Sequence, residues 1–269
     1  MIFSREFKST FGKLIAWVIV LLILAGLLIA LQPMMLDVNM KSVFDSFLSS
    51  LTPGLKALLG MDEKIDYTSV SQYAAFAYQY IAVLIVIFAM QLGANTLSKE
   101  QGLGNIEYIY SNPISRSEIV GQKLLSSIIT YIIFLLFLGA GTFGIMKLLV
   151  KPVDMEVLLN LIKIFIGLLA SGLVFMSIGL FISALSNTTL YTEAISVLFV
   201  FVNVIVVILG KIYGGVFGEI IQYSAIETFK PIKMLLGNIN LIAVAVNICI
   251  FIVFLLLSYA VYNKKDLKF

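Results

Sequence analysis

The residues that could do chemistry in this chain are few, and their spacing excludes most reaction classes. Histidine is absent, and cysteine occurs once, as Cys249 inside an apolar run. Zinc sites need several such ligands, so no metal centre is expected. One cysteine also forbids an intrachain disulfide. The G-x-x-x-x-G-K-[ST] phosphate loop, H-E-x-x-H and G-x-S-x-G are all missing. No catalytic residue and no directly bound cofactor are therefore expected. Within the long apolar segments only Lys163 and Glu193 are ionisable. Ion and proton carriers keep such groups facing the bundle interior. Lys163 lies about 8 Å into its segment, close enough to an end to snorkel. Glu193 falls near a helix start, where the dipole favours an anion. A functional role for either residue stays open.

The most informative polar stretch is 97–123, LSKEQGLGNIEYIYSNPISRSEIVGQK. Asn105 can cap a short helix through Tyr110. Pro113 stops it, because the residue before a proline is pushed out of the α region. Ser115, with Glu118 three residues on, reads as a capping box opening the next helix. A short capped helix, a proline turn and a second capped helix make a rigid connection, and rigid connections transmit force.

The elements that hold this loop follow from composition. The chain is 61% hydrophobic and 12% charged, against about 45–50% and about 25% for soluble domains. Its surface needs lipid as solvent. A helix crossing about 30 Å of hydrocarbon needs roughly 20 apolar residues. Six segments qualify: 14–31, 73–97, 124–146, 158–185, 190–209 and 241–262. They are apolar on every face, which excludes the alternating pattern of barrel strands. The fold expected is an all-α integral membrane domain spanning 1–269. The first segment reads as a retained span, since no small-residue cleavage site follows it. An even number of spans puts both termini on one side. That side carries nine basic and five acidic residues, the other eight lysines and nine acids, so the termini are expected to be cytoplasmic in a cell membrane. The net charge of +3 is scattered, giving no stripe for nucleic acid.

Ahead of the first span, Phe3, Phe7 and Phe11 recur at four-residue spacing, with Arg5 and Lys8 largely off that stripe. This pattern predicts an interfacial helix against membrane lipid. The first far-side loop, 32–72, predicts a small helical cap: one helix around Val43–Leu51, a break at Pro53-Gly54, and another that stops at Gly60. The last, 210–240, contains Gly214-Gly215 and Lys230-Pro231 and is expected to dip back toward the bilayer. Small residues four apart, Ala140/Gly144, Gly167/Ser171 and Gly179/Ser183, are candidate close-approach points between helices.

The 97–123 loop resembles that of ABC-2 type exporter permeases. Their pattern is a glutamate, a Gly-Thr-φ-Glu helix start, a Pro-φ-Ser-Arg turn, then Glu-Ile and Gly-x-Lys. It is met by Glu100, Gly104, Ile106, Glu107, Pro113, Ile114, Ser115, Arg116, Glu118, Ile119, Gly121 and Lys123, with Asn105 where threonine is usual. The basic N-terminal helix, the helical outer loop, the Leu55–Gly60 stretch and the turn at 183–187 are similar to Gram-positive members. The resemblance implies a permease subunit that forms the substrate pathway of an exporter and lacks its own ATPase. It further implies two copies of an ATP-binding subunit holding ATP and Mg, and a second permease, identical or homologous. Glu100, Gly104, Asn105, Ile106, Glu107, Tyr108, Tyr110, Pro113 and Arg116 would couple to the ATPase. The interfacial helix with Phe3, Arg5, Phe7, Lys8 and Phe11 would be the second contact. The nearly charge-free spans suggest an apolar or amphipathic substrate such as a lipid, peptide or antibiotic. Alternatives are a non-transporting lipid-binding membrane enzyme or assembly factor, or a stand-alone carrier.

Overall fold

The computed structural model describes residues 2–61, 64–102, 115–150 and 153–265, with only the helical backbone described for 2–5 and 100–102. Among them are six helices long and apolar enough to cross a membrane: α1 (Ile2–Ile29), α4 (Val70–Gly102), α5 (Arg116–Leu149), α6 (Met155–Leu185), α7 (Thr189–Tyr213) and α11 (Leu241–Lys264). Five of them contain one expected span each and mostly overrun it, because polar residues continue the helix past the apolar run; α1 covers the first span only as far as Ile29, two residues short of Leu31. The N-terminal stretch is helical from Ile2 and continuous with the first span. Residues 2–29 form one helix because nothing in them breaks it: Pro is absent, and Gly12 and Gly26 are each isolated among good helix formers.

Between α1 and α4 lie α2 (Val38–Ser50) and α3 (Pro53–Leu58), the expected helical cap. Asp37 caps α2 by accepting from the Asn39 and Met40 N–H groups. Thr52 caps α3, and Pro53 takes its first turn, where its missing N–H has no partner to lose. The helix stops at Gly60, whose φ of 65° suits the left-handed cap. Between α7 and α11 lie α8 (Gly215–Ile221), α9 (Ala225–Thr228) and α10 (Pro231–Leu236). The turn into α8 needs positive φ at both Gly214 and Gly215.

α10 packs on α4 and α6. Gly167 of α6 meets Met234, and a Cβ there would come within 3.1 Å of the Phe229 carbonyl oxygen. Gly167 is about 18 Å along α6, so the last loop folds back well inside the length of the spans, as the sequence suggested.

Most of α4 and α6 is buried, whereas α1, α7 and α11 expose most of their surface. The α4–α6 pair is therefore the core. The two helices cross at Gly93 and Gly179. A Cβ at Gly93 would overlap the Met176 carbonyl, and one at Gly179 the Met90 carbonyl. Near this crossing, the Ser183 hydroxyl accepts from both the Leu97 and Ser98 N–H groups, each at 2.9 Å. Buried hydroxyls tie α5 in as well. Tyr78 pairs with Thr142, and Tyr131 donates to the Leu168 carbonyl at 2.7 Å. An unpaired polar group in so dry an interior would cost several kcal/mol.

Candidate functional site

The first turns of α1 and the end of α11 lie at one face of the bundle, where α4 ends and α5 begins. Ser115 caps α5, its hydroxyl accepting from the Glu118 N–H at 3.2 Å. The Glu118 carboxylate accepts from Gln122, so half of the capping box is realised by the expected pair. Arg116 turns to the end of α11, donating to the Asn263 and Lys265 carbonyls at 3.1 and 2.6 Å. A guanidinium there complements the negative end of the helix dipole. Lys265 donates to the Ser186 carbonyl at 2.6 Å, and partial burial pushes its ammonium below the ordinary lysine value.

An ionic cluster ties α1 to the helices on either side of the 103–114 stretch. Glu6 stands 3.8 Å from the Lys99 ammonium on α4 and 3.7 Å from that of Lys123 on α5. Lys99 also donates to Ser9 at 2.6 Å. Lys123 is only 1% exposed and donates to the Thr96 carbonyl at 2.9 Å. Burying that ammonium is tolerable because carbonyl and carboxylate both face it. The Gly-x-Lys motif thus sets a lysine inside the bundle.

Beside this cluster is a polar crevice of about 300 Å³ between α1, α4 and α7. Lys13 and Glu193 bridge it at 2.9 Å, and Asn95 donates to the same Glu193 oxygen at 2.7 Å. Glu193 is therefore held by specific partners as well as by its place near a helix start. Lys163 bonds Asn160 at 3.1 Å at the surface, in keeping with snorkelling. At the opposite face a second cluster is more closed. Glu227 lies 2.9 Å from Lys211 and 2.7 Å from Lys233, its side chain 8% exposed.

Of the residues singled out for coupling, Gly104, Asn105, Ile106, Glu107, Tyr108, Tyr110 and Pro113 lie outside the described residues, as do the side chains of Glu100, Phe3 and Arg5. The Glu100 backbone belongs to the last turn of α4. Phe7 and Phe11 lie 5.9 Å apart between ring centroids, consistent with one stripe, and Lys8 is exposed. Of the small-residue pairs, Gly179/Ser183 and Gly167 make close contacts. Gly144 faces open space, because α5 turns that side away from its neighbours, and Ala140 lines an apolar groove between α5 and α6. The sequence reading missed Gly93, although Ala89 and Gly93 have the same four-residue spacing. It also missed the Glu6 cluster. A signal for that was the polar series Gln91, Asn95, Lys99 at four-residue intervals, running from the second span to just past its end.

Six apolar helices, four of them around a glycine-crossed pair, with charge gathered at the two ends, define a multi-pass helical membrane protein. The family model described as "ABC-2 family transporter protein" matches residues 1–267, and the chain belongs to that family. It is accordingly a transport-type membrane subunit and not itself the ATPase, and membership implies association with an ABC ATPase. Comparison with curated proteins finds no match.

Proposed function

We propose that the chain is the permease subunit of an ATP-driven exporter, and that it moves an apolar or amphipathic substrate on force received from a separate ATPase. The observation that carries this reading is the Glu6 cluster. Glu6 of α1 faces lysines on both helices that flank the 103–114 stretch. A push on that stretch would thus reach α1, α4 and α5 together. In this reading Glu100 to Pro113 dock on the ATPase and the Phe3–Phe11 helix is the second contact. Arg116 holds the base of the loop against α11. Two ATPase copies bind ATP and Mg, and a second permease, identical or homologous, completes the pathway. Both termini face the cytoplasm.

The test is the pair Glu100→Ala and Glu107→Ala in the reconstituted complex. Expression and insertion stay near normal, since both charges lie outside the apolar run. Coupled ATP hydrolysis and export fall, through loss of the ATPase or through cycling without transport. Full transport by the double variant refutes the coupling role. Orientation is tested separately, with Gly102→Cys in a Cys249→Ala background. Strong labelling by an impermeant reagent from outside sealed cells refutes it.

A further inference from the structure

The crevice between α1 and α7 has features of a binding site. The two helices flank α4 without extensive packing on each other. Gln91, Asn95 and Lys99, four residues apart on α4, form a polar floor. The lining carries two carboxylates and two ammoniums, Glu6 with Lys99 and Glu193 with Lys13. Asn95 spends its amide on Glu193, leaving its buried Oδ1 without a hydrogen-bond partner. At the inner end the lining turns aromatic, with Trp17 and Phe88 in contact at 5.6 Å.

We propose that this crevice takes the zwitterionic head of an amphipathic molecule, and that the Lys13–Glu193 pair is the latch across it. The chemistry of the walls selects the ligand. An ammonium on the ligand finds two acceptors side by side, the Glu193 carboxylate and the free Asn95 oxygen. A phosphate or carboxylate finds the Lys13 and Lys99 donors. The apolar part leaves past Trp17 and Phe88, toward the apolar length of the spans. A head of one sign alone would engage half of this set and leave one member of the Lys13–Glu193 pair without its ion-pair partner.

The latch has to be weak, and its exposure makes it so. The Lys13 and Glu193 side chains are 62% and 36% exposed. A pair this open to solvent shifts an equilibrium by about two- to fivefold. A ligand that supplies both charges can replace it, trading one internal ion pair for two external ones. The inference deepens the exporter reading by naming the chemical class its crevice accepts, and it rests on that reading only for calling the ligand a substrate.

The test uses the full chain in detergent, in a Cys249→Ala background with Gln91→Cys as a reporter on the crevice floor. The rate of modification by a soluble thiol reagent is measured. Lys13→Ala and Glu193→Ala each raise the rate about two- to fivefold, and the reversed pair Lys13→Glu with Glu193→Lys returns it toward the parent value. Lysophosphatidylethanolamine slows modification of the parent, whereas lysophosphatidylglycerol at equal concentration does not. Unchanged rates in the single variants, or no recovery in the reversed pair, overturn the latch. Equal protection by both lipids, or by neither, overturns the zwitterion site. The measurement needs neither ATP nor a known orientation, so its failure is distinct from failure of the coupling test.

Discussion

On one side of α4, Gly93 and Gly179 bring two helix backbones into contact. On the other, the gap between α1 and α7 is spanned by the tips of a lysine and a glutamate. The same helix thus has a seam made by the smallest residues and a seam made by long charged ones. The first gains from dispersion between close-packed backbones, which falls off steeply with distance. It has no partly open state of comparable energy. The second depends on side-chain tips that water or a ligand can replace. The contrast suggests which part of the bundle stays fixed and which part moves.

The largest effect is expected at the fixed seam. In Gly179→Val the added carbons meet the Met90 carbonyl, a backbone atom with no rotamer to yield. Overpacking commonly costs about 1–3 kcal/mol when side chains can give way, and more is expected here. Little folded chain should survive a detergent thermal-stability assay. A stable variant with unchanged melting would mean that the crossing is looser than described.

A smaller but large effect is expected at the far-face cluster, which is ionic like the latch but closed like the glycine seam. Glu227→Ala leaves Lys211 and Lys233 without their shared carboxylate, and removing one partner of a buried pair costs about 3–5 kcal/mol. Thermal unfolding checks this, with the Lys211→Met and Glu227→Leu combination expected to recover part of the loss. If Glu227→Ala is neutral, burial and not charge holds that loop in place. Lys13→Ala, by contrast, should change stability by less than about 1 kcal/mol in the same assay. A loss as large as that of Glu227→Ala would erase the distinction between the two ion-pair sites.

The smallest effect is expected at Asp66, remote from both seams. The Thr68 hydroxyl and N–H donate to its carboxylate and hold the group below its ordinary value of 3.8. A depressed carboxyl contributes stability above the unfolded value, and that contribution is lost as pH falls through the lower folded one. Amide-exchange protection at Thr68 should therefore decline only in strong acid. Asp66→Asn should flatten that dependence and leave the crevice reporter unchanged.

The six spans were legible because each is a long apolar run, a signal that lies within one segment. Helix ends read well where a cap is local, as at Ser115, Pro53 and Gly60. The interhelical partners were not legible in the same way. Lys13 and Glu193 are 180 positions apart, and nothing in either segment encodes the other. The Gly179/Ser183 spacing marked a close approach correctly but not its partner, and the Ala140/Gly144 spacing marked one that the fold does not use. Small residues permit contact without specifying it. Lys123 was recognised as part of a motif, yet its buried ammonium faces Glu6 of the first helix and the Thr96 carbonyl, neither of which its own segment encodes.

Trp17 is the chain's single tryptophan, and it stands in the wall of the crevice against Phe88. The protein therefore carries one indole, which red-edge excitation selects over its twelve tyrosines, and it is placed where the proposed opening occurs. Indole emission shifts to the red as water reaches the ring and to the blue as an acyl chain displaces that water. No second tryptophan in this chain dilutes the signal. Against a tryptophan-free partner, the natural sequence reports its own wetting in real time, without a dye or an engineered residue.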